Sequence, residues 1–282
     1  MRRLPILGLA LAVGLATAAC DIKTSANGDF SFDIASGKAT ETWSRSYKLA
    51  DKGRFELINV NGRITAEPTD GAELVVEGRK TTKARSDDAA KELLPKLEIR
   101  EEVGESTVRV ESRPPRLAGL SSHEIEWTVK VPKGVILDLR TTNGGVRLND
   151  ISNEVHAKTT NGGVHGERLE SNVVEATAVN GGIELELSKP LDEKGSIDME
   201  TVNGGVTLAI AKESKASIEA RCVNGGVHVE EIEITRDDQG NANDWERRRR
   251  LNGTMNGGGA RVRMSTTNGG VHLTPAKKKP TT

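Results

Sequence analysis

Leu139-Arg140-Thr141-Thr142-Asn143-Gly144-Gly145-Val146-Arg147-Leu148 is the stretch that decides how this chain folds. Before the asparagine, Leu139 and Thr141 alternate with the polar Arg140 and Thr142. After two glycines the alternation resumes, with Val146 and Leu148 flanking Arg147. A period of two is the mark of a strand with one buried face. The Asn-Gly-Gly between the two halves reads as a bend, because glycine reaches backbone angles that other residues avoid and asparagine tolerates the left-handed region.

The unit recurs. Asn-Gly-Gly followed by Val or Ile stands at Asn143, Asn161, Asn180, Asn203, Asn224 and Asn268, at spacings of 18, 19, 23, 21 and 44 residues. The last gap is about two periods with an insertion. Asn256-Gly257-Gly258 is a degenerate copy, and Asn61-Gly62-Arg63-Ile64 an early one. Two, four and six residues before each asparagine lie small or apolar side chains, as in Thr159/Ala157/Val155 and Cys222/Ala220/Ile218. Three and five after come pairs such as Ile183/Leu185 and Val206/Leu208; only Val164 lacks its second member, with Gly166 in that place. Self-similarity at a fixed period is the signature of a repeat architecture.

The expectation is an all-β fold: a β-solenoid or β-helix-like array of about 20-residue coils with Asn-Gly-Gly corners at the six asparagines. The alternative is an antiparallel β meander or sandwich, in which each Asn-Gly would be a tight hairpin turn. The solenoid is preferred because a meander does not require the same asparagine at every second strand. Stacked asparagines, by contrast, can hydrogen-bond along a ladder. Stacked in chain order, Asp138, Glu175, Asp198 and Glu219 share one outward row, with His156 among them and Arg263 at its end. His165, His228 and His272 share another row, in which Glu184 and Thr207 separate His165 from His228.

The flanks read as follows. Residues 1–19 are a signal peptide: Arg2 and Arg3 precede an apolar run, Leu4 to Ala16, too short to span a bilayer comfortably. Thr17-Ala18-Ala19-Cys20 then resembles a bacterial lipoprotein signal, with Cys20 as the lipidated residue and Thr17 where such signals usually carry Leu. Ordinary cleavage after an Ala-x-Ala site is the alternative. A lipidated Cys20 leaves Cys222 without a disulfide partner, and the repeat pattern makes it a small buried residue. Residues 20–40 are a polar tether. Residues 41–135 are β-rich with one short helix, Ser86–Leu94, capped by Ser86 and ended by Pro95. The array occupies residues 136–275 with an insertion at 236–253, and residues 276–282 are a frayed tail.

Composition narrows the function. With 40 Lys+Arg against 41 Asp+Glu, the net charge of -1 lacks the basic excess that general nucleic-acid binding needs. Seven aromatic residues (three Trp, three Phe and one Tyr) are few for a stacking platform. No phosphate loop, no dinucleotide fingerprint and no Gly-x-Ser-x-Gly elbow is present. No catalytic residue, metal ligand or cofactor is therefore assigned. The possible binding surfaces are the acidic row Asp138, Glu175, Asp198 and Glu219, and the cationic run Arg247, Arg248, Arg249 and Arg250 beside Trp245. The run suits anionic headgroups or another polyanion.

Taken together, the lipoprotein-like start, the Thr-x-Asn-Gly-Gly-Val repeats and the run from Leu251 to Gly259 resemble the exported β-strand-repeat family labelled putative adhesin, a domain of unknown function. The resemblance covers roughly residues 40–275. It implies a β-solenoid-like fold in the bacterial envelope and supplies no catalytic residues. The chain is accordingly expected to be a non-enzymatic envelope protein. It would be held to the membrane by a lipid at Cys20 and would bind an unknown protein or glycan of the envelope as an adhesin or scaffold. A soluble periplasmic or secreted protein, a glycan-acting enzyme on a β-helix scaffold and a regulatory envelope protein are the alternatives.

Overall fold

The computed structural model describes residues 21–24, 30–33, 37–115, 121–237 and 244–277. The expected signal peptide and Cys20 lie outside the described residues. Among those described, the fold is all-β with two short α-helices, Asp87–Leu93 (α1) and Asp244–Arg249 (α2), a 3-10 turn at Leu94–Lys96, and two large mixed sheets of eleven and ten strands. Residues 21–24 and 30–33 form a separate antiparallel pair.

The chain alternates between the two sheets. Ile136–Asn143 lies in the first and Val146–Asn149 in the second; Val155–Asn161 and Val164–Leu169, then Val173–Asn180 and Ile183–Leu187, then Ser196–Asn203 and Val206–Ile210 repeat the pattern. Strands either side of an Asn-Gly-Gly thus sit in different sheets and do not pair, which excludes the antiparallel meander for this part of the chain. Within each sheet the neighbours are parallel and equivalent residues face one another: Thr141 opposite Thr159, Asn143 opposite Asn161, Val146 opposite Val164.

Stacking does not follow chain order to the end, and here the sequence expectation is corrected. The strand Ala260–Asn268 inserts between Ser196–Asn203 and Ala216–Asn224, parallel to both. Val271–Pro275 does the same between Val206–Ile210 and Val227–Val229. The segment in between turns back on the array, so that Arg250–Met255 covers the far edge of Ala216–Asn224 in antiparallel register. That edge is then occupied, and the last repeat enters on the inner side.

At the other end, Arg54–Asn61 and Ile64–Pro68 lie parallel to Ile136–Asn143 and Val146–Asn149, so the early Asn61 copy is continuous with the array. Thr107–Arg113 and Ser122–Val131 continue the parallel pairing by one strand in each sheet, and beyond them it becomes antiparallel, in Glu98–Val103 with Thr107–Arg113 and in Leu74–Ala84 with Ser122–Val131 and Gly37–Tyr47. Helix α1 covers this end. Ser86 Oγ accepts from Ala89 N at 3.3 Å, a side-chain cap for otherwise unpaired amides, and Ala90 is buried against Ala39 and Ala84. At the opposite end the outermost strands, Thr235–Arg236 and Val227–Val229, are only two and three residues long, which limits unwanted edge pairing.

Burial follows the two-residue period. The inward positions two, four and six before each of the six asparagines are all buried. Those three and five after are buried too, except half-buried Val227 and Val229 on the outermost strand. Each aliphatic side chain so buried contributes about 1.5–3 kcal/mol, and one continuous cluster runs from Tyr47 to Leu273. Gly166 departs from the pattern for a packing reason. A register shift between Gly166 and Leu169 brings Leu169 inward, and a Cβ on Gly166 would sit 2.7 Å from Leu169 Cδ1 and 2.8 Å from Leu185 Cδ2. The interior aromatics gather at the Asn61 end, where Trp43 meets Trp127 edge-on at 5.6 Å over the gap left by Gly78.

Candidate functional site

The six repeat asparagines and Asn61 form one continuous ladder. Asn143 Nδ2 donates to Asn61 Oδ1 at 2.7 Å, Asn161 to Asn143 at 2.8 Å, Asn180 to Asn161 at 2.9 Å, and Asn203 to Asn180 at 2.8 Å. The series then passes to Asn268 (2.7 Å) before Asn224 (2.8 Å). Every amide points the same way. At the first rung Asn61 Nδ2 meets His123 Nε2 at 2.9 Å, which makes that nitrogen the acceptor of a neutral ring. Burial lowers the His123 pKa, consistent with that state.

Beneath the ladder, buried threonines serve the backbone. Thr159 Oγ1 donates to the Gly144 carbonyl at 2.7 Å, Thr201 to Gly181 at 2.7 Å, Thr266 to Gly204 at 2.8 Å and Thr141 to Gly62 at 3.1 Å. The carbonyls of Gly62, Gly144, Gly181 and Gly204 are thus turned inward and satisfied there, as buried polar groups require. The same glycine permits close stacking: Gly144 has φ +150°, and a Cβ on it would lie 2.2 Å from the Gly62 carbonyl oxygen.

The outward row containing Asp138, Glu175, Asp198 and Glu219 is not an uninterrupted acidic face. Register gives the order Arg109, Glu56, Asp138, His156, Glu175, Asp198, Arg263, Glu219. Arg263 therefore falls between Asp198 and Glu219 instead of ending the row, a consequence of the inserted last repeat. Asp138, only 7% exposed, accepts from Arg140 Nη2 at 2.7 Å, with Arg54 at 3.9 Å. His156 is held between two carboxylates, Nδ1 to Glu175 at 2.9 Å and Nε2 to Glu154 at 3.0 Å. Burial alone would lower its pKa, but the bonds to Glu175 and Glu154 and their charges outweigh it, and the net shift is upward. Asp198 is also shifted up, by burial first, with Arg263 and Arg261 opposing. Opposite charges interleaved along a row neutralise one another across neighbouring strands.

The cationic run is divided between two elements. Trp245 and Arg247 to Arg249 are on α2, and Arg250 begins the outer strand opposite Arg221. Trp245 is 62% exposed; Arg249 lies over its ring at 4.3 Å and donates to the Val223 carbonyl. Helix α2 rests near Cys222, which is buried and whose thiol pKa burial pushes up, against the opposing Arg249. His228 and His272, rungs of one row, stack at 5.0 Å because the inserted repeat makes them neighbours. Among the described residues no group of three or more His, Cys, Asp or Glu is placed to hold a metal ion.

Sequence reasoning missed two features of this surface. One is the buried Thr to Gly carbonyl bond, foreshadowed only by the recurrence of threonine two before the asparagine. The other is an open groove of about 550 Å³ on the second sheet, floored by Gly145, Gly163, Gly182 and Gly205. Its only sequence signal is the second glycine of each Asn-Gly-Gly.

A sheet-to-sheet ribbon with a ladder of stacked asparagines is the setting in which the sequence match falls. The family model described as Toastrack DUF4097 matches residues 129–274, more than half of the chain. The chain belongs to the Toastrack DUF4097 family. Among solved structures, a putative cell adhesion protein from Clostridium sporogenes aligns with a TM-score of 0.52 at 12% identity, covering 84% of this chain and 100% of that one. That likeness is one of fold. A putative adhesin from Bacteroides fragilis aligns at 10% identity over 83% of this chain and 97% of its own, with a TM-score of 0.35. No curated protein matches the sequence.

Proposed function

We propose that this Toastrack chain is a non-enzymatic display scaffold of the bacterial envelope. In this reading the array is a wound ribbon of about 20-residue coils with Asn-Gly-Gly corners, and its rigid faces engage an envelope or surface component. The observation that supports it best is the one-directional asparagine ladder, which holds seven rungs in a fixed register and so sets the spacing of every outward row. Repeats of this kind supply a long rigid surface from little information. The name of the Clostridium sporogenes protein, a putative cell adhesion protein, favours an adhesin-like role. A lipid on Cys20 would hold the scaffold at a membrane, since more than one acyl chain gives stable anchoring.

Three experiments test this reading. Cross-linking in intact cells followed by affinity capture should recover one recurrent envelope component, and recovery of none would count against a display role. Cys20→Ser should move the protein from the membrane to the soluble fraction, and unchanged membrane association would argue against lipidation. Turnover of any polysaccharide that is lost when Asp138, Glu175, Asp198 and Glu219 are replaced by alanine would overturn the non-enzymatic assignment.

A further inference from the structure

The glycine groove on the second sheet carries an inference beyond the scaffold reading, and rests on it. Register aligns Gly145, Gly163, Gly182 and Gly205 as successive rungs, since the residues that follow them, Val146, Val164, Ile183 and Val206, pair in that order. Without side chains, these residues leave the floor open. Arg63 occupies the equivalent place in the first repeat and closes one end. At the other end the imidazoles of His272 and His228 lie over Gly270 and Gly226, with Nε2 at 2.8 Å from where a Cβ would stand.

The floor is also polar in a specific sense. The Gly144, Gly181 and Gly204 carbonyls are turned inward to Thr159, Thr201 and Thr266. A trans peptide places the next N–H opposite its carbonyl, and no cis bond occurs among the described residues. The N–H groups of Gly145, Gly182 and Gly205 therefore face outward into the groove. Gly163 stands on the rung between Gly145 and Gly182, so at a strand spacing of about 4.8 Å these donors follow one another at about 9.6 Å and then about 4.8 Å. Arg63, Arg147 and His165 line the same groove, with Thr207 and one carboxylate, Glu184, which lies 3.3 Å from His165 Nδ1.

We infer that this groove binds a linear acidic polysaccharide lying along the array axis, with one sugar residue over each rung. A pyranose chain advances by about one strand spacing per ring. Rings over Gly145, Gly182 and Gly205 can then offer a carboxylate or hydroxyl oxygen to a glycine N–H, while Arg63 and Arg147 neutralise the charge of the chain. An extended peptide repeats its same-side carbonyls only every second residue, about 6.7 Å apart, and falls out of step with the floor.

The test is calorimetric titration of the purified full-length chain with tetrameric to octameric galacturonate oligomers at low and moderate salt. Binding should be salt-sensitive. It should weaken at least tenfold in Arg63→Gln/Arg147→Gln, whose side chains are exposed, and in Gly205→Leu, where the nearest atom to a Cβ is an ordinary 3.6 Å away. A neutral glucan of equal length should not bind. Absence of galacturonate binding, binding unaffected by all groove variants, or equal binding of polyglutamate would overturn the inference. In the first two cases a partner cross-linked elsewhere on the array would leave the scaffold reading standing. Cleavage of the oligomer would overturn the non-enzymatic reading and the inference together.

Discussion

Within Asn203-Gly204-Gly205, replacing the first glycine should be costly, and replacing the second should not. At Gly204 a Cβ would lie 2.2 Å from the Gly181 carbonyl oxygen and 2.5 Å from its carbon. Ordinary contact begins at 3.4 Å, so the rung must open by about 1.2 Å. Both atoms are backbone and cannot swing aside. Opening disrupts the bonds that meet there: Thr201 Oγ1 to Gly181 O at 2.7 Å and Gly204 N to Asn268 O at 2.9 Å. Two lost hydrogen bonds cost about 1 kcal/mol each, and forcing a methyl into a packed site costs about 1–3 kcal/mol. Gly204→Ala should therefore lose roughly 3–5 kcal/mol, which for a chain of this size lowers Tm by about 10 °C. Gly205→Ala meets nothing nearer than the Gly270 carbonyl oxygen at 3.6 Å and should stay within about 1 kcal/mol of the parent. Thermal and urea unfolding of the two variants side by side measures the contrast. Equal stability of the pair would refute the claim that backbone approach between stacked repeats fixes the glycine.

The other expectations are local. Thr159→Val removes the donor to the Gly144 carbonyl from a fully buried site and should cost about 1–3 kcal/mol, while outward Thr142→Val should be nearly neutral; urea midpoints distinguish them. The raised pKa of His156 means that the folded state holds its proton more tightly than the unfolded chain. Its contribution is then complete below the ordinary histidine value of about 6.5 and is lost as pH rises through the higher folded value. Stability should therefore decline with pH above that point, and His156→Gln should flatten the profile; an unchanged profile would show that the two carboxylates do not hold the ring charged.

Much of the fold was legible because a two-residue period and a recurring turn signal are local. Leu137, Leu139 and Thr141 announce an inward face, and the same pattern in every copy announces all-β repetition. The order of the last two repeats was not legible. Nothing in Ala216–Asn224 states that its inner neighbour is Ala260–Asn268, because both strands present equivalent inward sets and either order fills the core. That choice is made by Arg250–Met255 occupying the other edge, a long-range pairing with no period. The same swap places Arg263 inside its row instead of at its end and makes His228 and His272 neighbours. The groove escaped notice because its floor is made of residues without side chains. Its donors are backbone groups whose direction is set by threonines on the neighbouring strand.

The most direct test of the wound-ribbon account is paired-cysteine cross-linking along the ladder in a Cys222→Ala background. Neighbouring parallel strands lie about 4.8 Å apart, within reach of a disulfide, whereas two rungs, about 9.6 Å, exceed it. Asn203→Cys combined with Asn268→Cys should oxidise readily to an intramolecular disulfide, and Asn203→Cys combined with Asn224→Cys should remain reduced. A bond in the second pair and none in the first, or in neither, would contradict both the stacking of the asparagines and the inserted final repeat.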